Sequence, residues 1–98
     1  MDMIFHVTTS EEWLAHRNLP TYKPNAFEKE GFIHCSTAAQ LPGVLERYFA
    51  GKENLIILHI EEAKLTSPLK YEAATNNELF PHVFGPINKD AIVNVIRK

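Results

Sequence analysis

Leu55-Ile56-Ile57-Leu58-His59-Ile60 is an almost unbroken apolar run, entered through the polar triplet Lys52-Glu53-Asn54. A stretch this apolar on both faces predicts a central strand covered on each side. The segments around it set the fold class. Asp2 to Thr8 alternates as a strand, with Met3, Phe5 and Val7 on one face and Ile4 and His6 on the other. Thr9 followed by Glu12 resembles a capping box, in which the hydroxyl accepts from the third N–H and the carboxylate reaches back. A short helix through Trp13 and Leu14 to about Arg17 follows.

Asn18 to Asn25, with Pro20 and Pro24, reads as a loop. Gly31 to Ser36 reads as a second strand, placing Phe32, His34 and Ser36 on one face and Ile33 and Cys35 on the other. Leu41, Val44, Leu45, Tyr48 and Phe49 then fall at helical spacing. Gly51 suits the left-handed residue that closes this helix, and Pro42 requires its first turn to begin near Ala39 to Leu41. Leu69 to Ala74 predicts a strand with Lys70 and Glu72 on one side and Tyr71 on the other. Asn76 to Asn88 reads as a loop, and Ala91 to Ile96 as a closing strand. The order β-α-β-α-β-β-β, with two helices confined to the N-terminal half, predicts an α+β fold.

The 98 residues, 45% hydrophobic and 22% charged, predict one globular domain spanning residues 1–98. Its radius of gyration should be near ~13 Å. No stretch approaches the roughly 20 apolar residues that span a bilayer, and no signal peptide is expected. Ten basic and twelve acidic residues give a formal charge of −2 without a basic stripe, so duplex nucleic acid is not an expected partner. A small phosphorylated ligand needs only one or two cations and stays open. The lone Cys35 cannot form an intrachain disulfide and suits a reducing, cytoplasmic setting as a buried core residue.

The chemistry-bearing residues cluster around histidines. His16 near a helix end and His59 within an apolar strand read as structural, the first a cap or solvated residue, the second a hydrogen-bonded core residue. His6-Val7-Thr8 and His34-Cys35-Ser36 each place an imidazole and a hydroxyl two residues apart on one strand face. That spacing is shared with two-histidine phosphoesterases, whose paired motifs act as general acid and base. His6, His34, Cys35 and His82 are zinc-type ligands. However, neighbouring His34 and Cys35 face opposite ways on a strand, so no metal is expected. Glu72 has two open readings: a cleft carboxylate near a ribose carbon, or a solvent-facing charge beside Lys70. Tyr22, between Pro20 and Pro24, could stack on a ligand ring. Phe80-Pro81 and Phe84-Gly85-Pro86 either wall a cleft that presents His82 or seal the core.

Ile4-Phe5-His6-Val7-Thr8, Trp13, Gly31-Phe32-Ile33-His34-Cys35-Ser36, Gln40-Leu41, Arg47-Tyr48-Phe49, Gly51, Tyr71-Glu72 and Phe80 to Pro86 occur in this order. Together they resemble the bacterial family called domain of unknown function 952, from Ile4 to about Val95. That family's fold is similar to the ADP-ribosyltransferase fold, which clasps NAD between small split β-sheets. The resemblance implies NAD or an ADP-ribose-like nucleotide as ligand, with transfer or hydrolysis of the ADP-ribosyl group as the activity. It places His6 on the first motif, His34 and Ser36 on the second, and Glu72 or His82 near the third. In that scheme His6 and His34 orient ribose and pyrophosphate, Glu72 stabilises an oxocarbenium-like centre and His82 activates the acceptor. Thr8, Tyr22 and Ser36 complete the ligand contacts. The competing class is a non-catalytic module that only binds a small ligand. Related RNA 2′-phosphotransferases use arginines that this chain lacks, since only Arg17 and Arg47 precede the tail.

Overall fold

The apolar run does become the middle of a sheet. A computed structural model describes residues 2–98. Its elements in chain order are β1 (Met3–Thr9), α1 (Ser10–Leu14), β2 (Thr21–Tyr22), α2 (Phe27–Glu30), β3 (Ile33–His34), α3 (Leu41–Phe49), β4 (Leu55–Glu61), β5 (Leu69–Ala73), β6 (Leu79–Val83), β7 (Ile87–Asn88) and β8 (Ile92–Arg97). Short 3₁₀ turns fill some of the connections. The strands form three antiparallel sheets, ordered β1-β4-β8, β3-β6-β5 and β2-β7. An isolated bridge joins the two larger ones: Phe5 N–H donates to the Ser36 carbonyl at 2.8 Å, and Ser36 N–H returns to Phe5 at 2.7 Å. The α-helices lie in the N-terminal half, as the α+β reading requires, and the Cα radius of gyration is 12.5 Å. No helix among the described residues is long and apolar enough to cross a membrane.

Both faces of β4 are covered. Ile56, Leu58 and Ile60 join Ile4, Tyr22, Ile33, Cys35, Val83 and Ile87 in the main core, and Leu55 and Ile57 pack with Val7 beneath Leu41, Leu45 and Phe49 of α3. Each large aliphatic side chain buried this way contributes roughly 1.5–3 kcal/mol. Leu58 has no exposed surface, so Leu58→Ala should cost about 2–5 kcal/mol through the cavity it leaves.

Several expectations are corrected. Three helices, not two, occupy the N-terminal half. The extra one is the single turn α2, closed by Gly31 at φ 80°, in the left-handed region that glycine adopts without steric cost. The proline-flanked loop holds β2, paired with β7. The Gly31–Ser36 strand shortens to Ile33–His34 plus the bridge at Ser36. The stretch read as a loop before residue 88 contains β6, the middle strand of the second sheet. Pro81 explains both of these last differences. Cys35 N–H donates to the Pro81 carbonyl at 2.9 Å, but Pro81 has no N–H to return, so the β3–β6 ladder stops after His34.

Candidate functional site

The site forms where the two larger sheets meet. The β3-β6-β5 sheet alternates strictly: Ile33, Cys35 and Val83 turn into the core, while His34 and its register partner His82 share the other face. Lys70 is also opposite His82, and Glu72 lies two residues further along β5 on that same face. From β1, His6 and Thr8 point toward the same junction. The expected residues His6, Thr8, Tyr22, His34, Glu72 and His82 therefore come together in two hydrogen-bond networks joined at His34, and Ser36 reaches the junction through its backbone pairing with Phe5.

One network ties β1 to β3 and to the proline-flanked segment. His6 Nδ1 donates to the His34 carbonyl at 2.8 Å, and His6 Nε2 lies 3.3 Å from the Tyr22 hydroxyl, which is itself 2.8 Å from Thr8 Oγ1. Both ring nitrogens of His6 are thus engaged by protein. Burial holds the His6 pKa below its ordinary value, against the opposing pull of the His34 carbonyl and Glu12. Tyr22 is fully buried between the rings of Trp13, His16 and His6, so its ring offers no face to a ligand. The stacking role expected for Tyr22 is replaced by a hydroxyl that links His6 to Thr8. Burial raises its pKa, partly offset by the bond to Thr8.

The other network runs outward. His34 Nδ1 is 3.3 Å from His82 Nε2, and His82 Nδ1 is 2.8 Å from Glu72 Oε1. The Phe32 ring stacks on His82, with centroids 4.1 Å apart and planes 20° from parallel. His82 is buried, whereas the Glu72 side chain is 44% exposed. Among the described residues, His34 Nε2 is buried without a hydrogen-bond partner. A buried acceptor left this way costs about 1–3 kcal/mol. Burial, then the neighbouring His82 and His6, lowers the His34 pKa to about 4.

A cleft of about 240 Å³ lies at this junction, walled by His6, Thr8, Ser36, Glu12 and the aromatic rings of Phe32 and Phe49. His34 sits in the wall it shares with a second lobe of about 350 Å³, where His82 and Tyr48 also take part. Among the described residues, neither lobe is lined by a lysine or arginine. The charged lining residues are Glu12 and Glu30, and Glu12 Oε1 already accepts from Asn25 N–H at 2.7 Å. Glu72 lines neither lobe. Its carboxylate stands behind His82, so the placement expected for it beside a ribose carbon is corrected to a contact with an imidazole. Among the described residues, no group of three or more His, Cys, Asp and Glu side chains is placed to hold a metal ion.

Sequence reasoning missed Phe32, Phe49 and Glu12 as site residues. Phe32 shares the face of His34 and Ser36, and that alternation was the available signal. Phe49 sat within a helical apolar stripe, and Glu12 within a capping pattern, so each had a complete structural explanation. Of the two residues read as structural, His16 bonds the Glu12 carbonyl through Nδ1 at 3.0 Å. His59 is half-buried and packs edge-on against Phe5, centroids 4.8 Å apart.

The profile of the family described as "Protein of unknown function (DUF952)" matches residues 7–95. The chain belongs to this family. The DUF952 match includes Thr8, Tyr22, His34, Ser36, Glu72 and His82, and His6 lies one residue before it. Among solved structures, the crystal structure of protein CC0527 from Caulobacter crescentus superposes with a TM-score of 0.89 at 26% identity, covering 97% of this chain and 84% of that one. The solution NMR structure of CC0527 gives 0.83 at 27% identity, covering 98% and 84%. No curated protein matches the chain.

Proposed function

We propose that the cleft binds the ribosyl end of a nucleotide, NAD or an ADP-ribose derivative, with His34 as the proton acceptor. The observation that carries this reading is the orphan Nε2 of His34, a buried acceptor in the wall of an aromatic and hydroxyl-bearing cleft. A ligand hydroxyl supplies the donor that the protein omits. Phe32 and Phe49 suit a planar ring, and Thr8 and Ser36 suit sugar hydroxyls. The lining sets a limit on how the ligand lies. With carboxylates and no cation around it, the pyrophosphate belongs outside, in solvent, and the ring and ribose inside. Two three-stranded antiparallel sheets bridged beside a cleft support the ADP-ribosyltransferase-like reading of the fold.

Within this scheme His34, poised neutral, takes the proton of an attacking hydroxyl during transfer or hydrolysis of the ADP-ribosyl group. His6 holds the backbone of His34 in place through its carbonyl. A phosphoesterase of the two-histidine type is disfavoured, because both nitrogens of His6 are occupied and no cation faces the cleft.

Calorimetric titration with nicotinamide riboside, ADP-ribose, NAD and inorganic pyrophosphate tests the reading, followed by chromatography for released nicotinamide. Binding of the three ribosides, absence of pyrophosphate binding and at least a tenfold weakening in His34→Leu are expected. Binding with no nicotinamide release would leave a ligand-binding module, whereas tight pyrophosphate binding or no binding at all would overturn the reading.

A further inference from the structure

The chain Glu72–His82–His34 fixes where each proton sits. The Glu72 carboxylate only accepts, so the His82 nitrogen 2.8 Å away, Nδ1, carries a hydrogen. A neutral His82 then presents a lone pair at Nε2. That lone pair faces His34 Nδ1 at 3.3 Å, so the His34 proton resides on Nδ1. The remaining nitrogen, His34 Nε2, is a bare lone pair, and it is the one without a partner. With both rings neutral, any other assignment sets two acceptors against each other at one of the two contacts. Phe32, stacked on His82, restrains the middle ring from turning.

We infer that Glu72 and His82 are positioning residues that set His34 as a proton acceptor and hold the proton it takes. This rests on the cleft being the ligand site. The transfer balances as follows. The ligand O–H bond breaks and an N–H bond forms at His34 Nε2, leaving an alkoxide. The His34 Nδ1–H bond breaks as an N–H bond forms at His82 Nε2. His82 is then an imidazolium whose Nδ1–H donates to the Glu72 carboxylate, so the positive charge stands against a negative one. Reversal of the same two steps returns the proton to an alkoxide leaving group, whereas nicotinamide departs neutral and the stored proton then passes to solvent. Charged neighbours are consistent with this store. Lys70, opposite His82 in register, directs Nζ over the Phe84 ring, 5.4 Å from its centroid, and His6 meets the backbone of His34 through its carbonyl. The 3.3 Å contact between the rings is long, as unliganded catalytic hydrogen bonds often are.

Long-range ¹H–¹⁵N correlation spectra of the ligand-free protein test the assignment directly, because they distinguish the two neutral imidazole tautomers. His34 and His82 should both carry hydrogen on Nδ1 in the wild type. Glu72→Leu, at a half-exposed surface position, should move at least half of the His34 population to the Nε2–H form, and Lys70→Leu should leave it unchanged. A His34 ring already protonated on Nε2 in the wild type, or a Glu72→Leu spectrum identical to it, would overturn the inference. Both readings are taken without ligand. A failed riboside titration with the expected tautomers would therefore remove the proposed ligand and leave the proton arrangement standing.

Discussion

Lowering the pH should destabilise the protein through His34, and the size of the effect follows from its surroundings. In the unfolded chain this imidazole titrates near 6.5, and in the folded protein burial and the two neighbouring histidines bring it to about 4. Between those values the unfolded chain binds a proton that the folded protein refuses. The stability linked to His34 is therefore complete above about pH 6.5, falls as the pH drops toward 4, and falls no further below that. The gap corresponds to ~3.4 kcal/mol at ~1.36 kcal/mol per pH unit. Solvent screening of a half-buried ring reduces this to about 1.5–2 kcal/mol. His34→Gln keeps a side chain able to donate to His82 but removes the titration. Urea unfolding near neutral pH and near pH 4.5 should show the wild type losing about 1–1.5 kcal/mol more than His34→Gln, because part of the gap still lies below pH 4.5. The two proteins differ only at residue 34, so the difference between them reports on that side chain. Equal losses in the two would refute the reasoning.

Other outcomes follow from single contacts. Tyr22→Phe removes the hydroxyl linking Thr8 to His6 in a fully buried position, and should cost about 1–3 kcal/mol in urea unfolding. Glu12→Ala frees the Asn25 N–H, so hydrogen exchange at Asn25 should accelerate several-fold while amides in β4 keep their protection. Gly85→Ala would drive a Cβ into the Ser67 side chain, 2.9 Å from its Cβ, and should destabilise by about 1–3 kcal/mol, with recovery in the Ser67→Gly double variant. Cys35 has no exposed surface and burial raises its thiol pKa, so a thiol reagent at mildly alkaline pH should label it only after denaturation.

The sequence made the frame legible and hid the connections. Residues 55–60 announced a strand covered on both sides because no polar residue marks a solvent face, and β4 is that strand. The two His-x-hydroxyl triplets were visible because strand alternation puts such residues on one face, which the structure repeats in His34 against Ile33 and Cys35. Short elements held by distant partners were not visible. Thr21–Tyr22 is a strand only because Ile87–Asn88 pairs with it, and β6 carries a proline that reads locally as a strand breaker. Capping signals were also deceptive. The Thr9/Glu12 pattern forms only half a box, since Glu12 turns to Asn25. The overlooked Thr37/Gln40 pattern is complete, with Thr37 N–H donating to Gln40 Oε1 at 3.0 Å and Gln40 N–H to Thr37 Oγ1 at 3.3 Å. The relay from Glu72 was illegible for a similar reason. Nothing local to Leu69–Ala73 tells a carboxylate facing water from one behind an imidazole on the next strand.

The most direct test of the site is the ¹⁵N resonance of His34 Nε2 during addition of nicotinamide riboside. It should start at the position of an unprotonated ring nitrogen and move upfield as a ligand hydroxyl donates to it, in step with shifts at Phe32 and Phe49. A riboside that binds while this nitrogen stays unmoved would show that the orphan acceptor is not where the ligand is held.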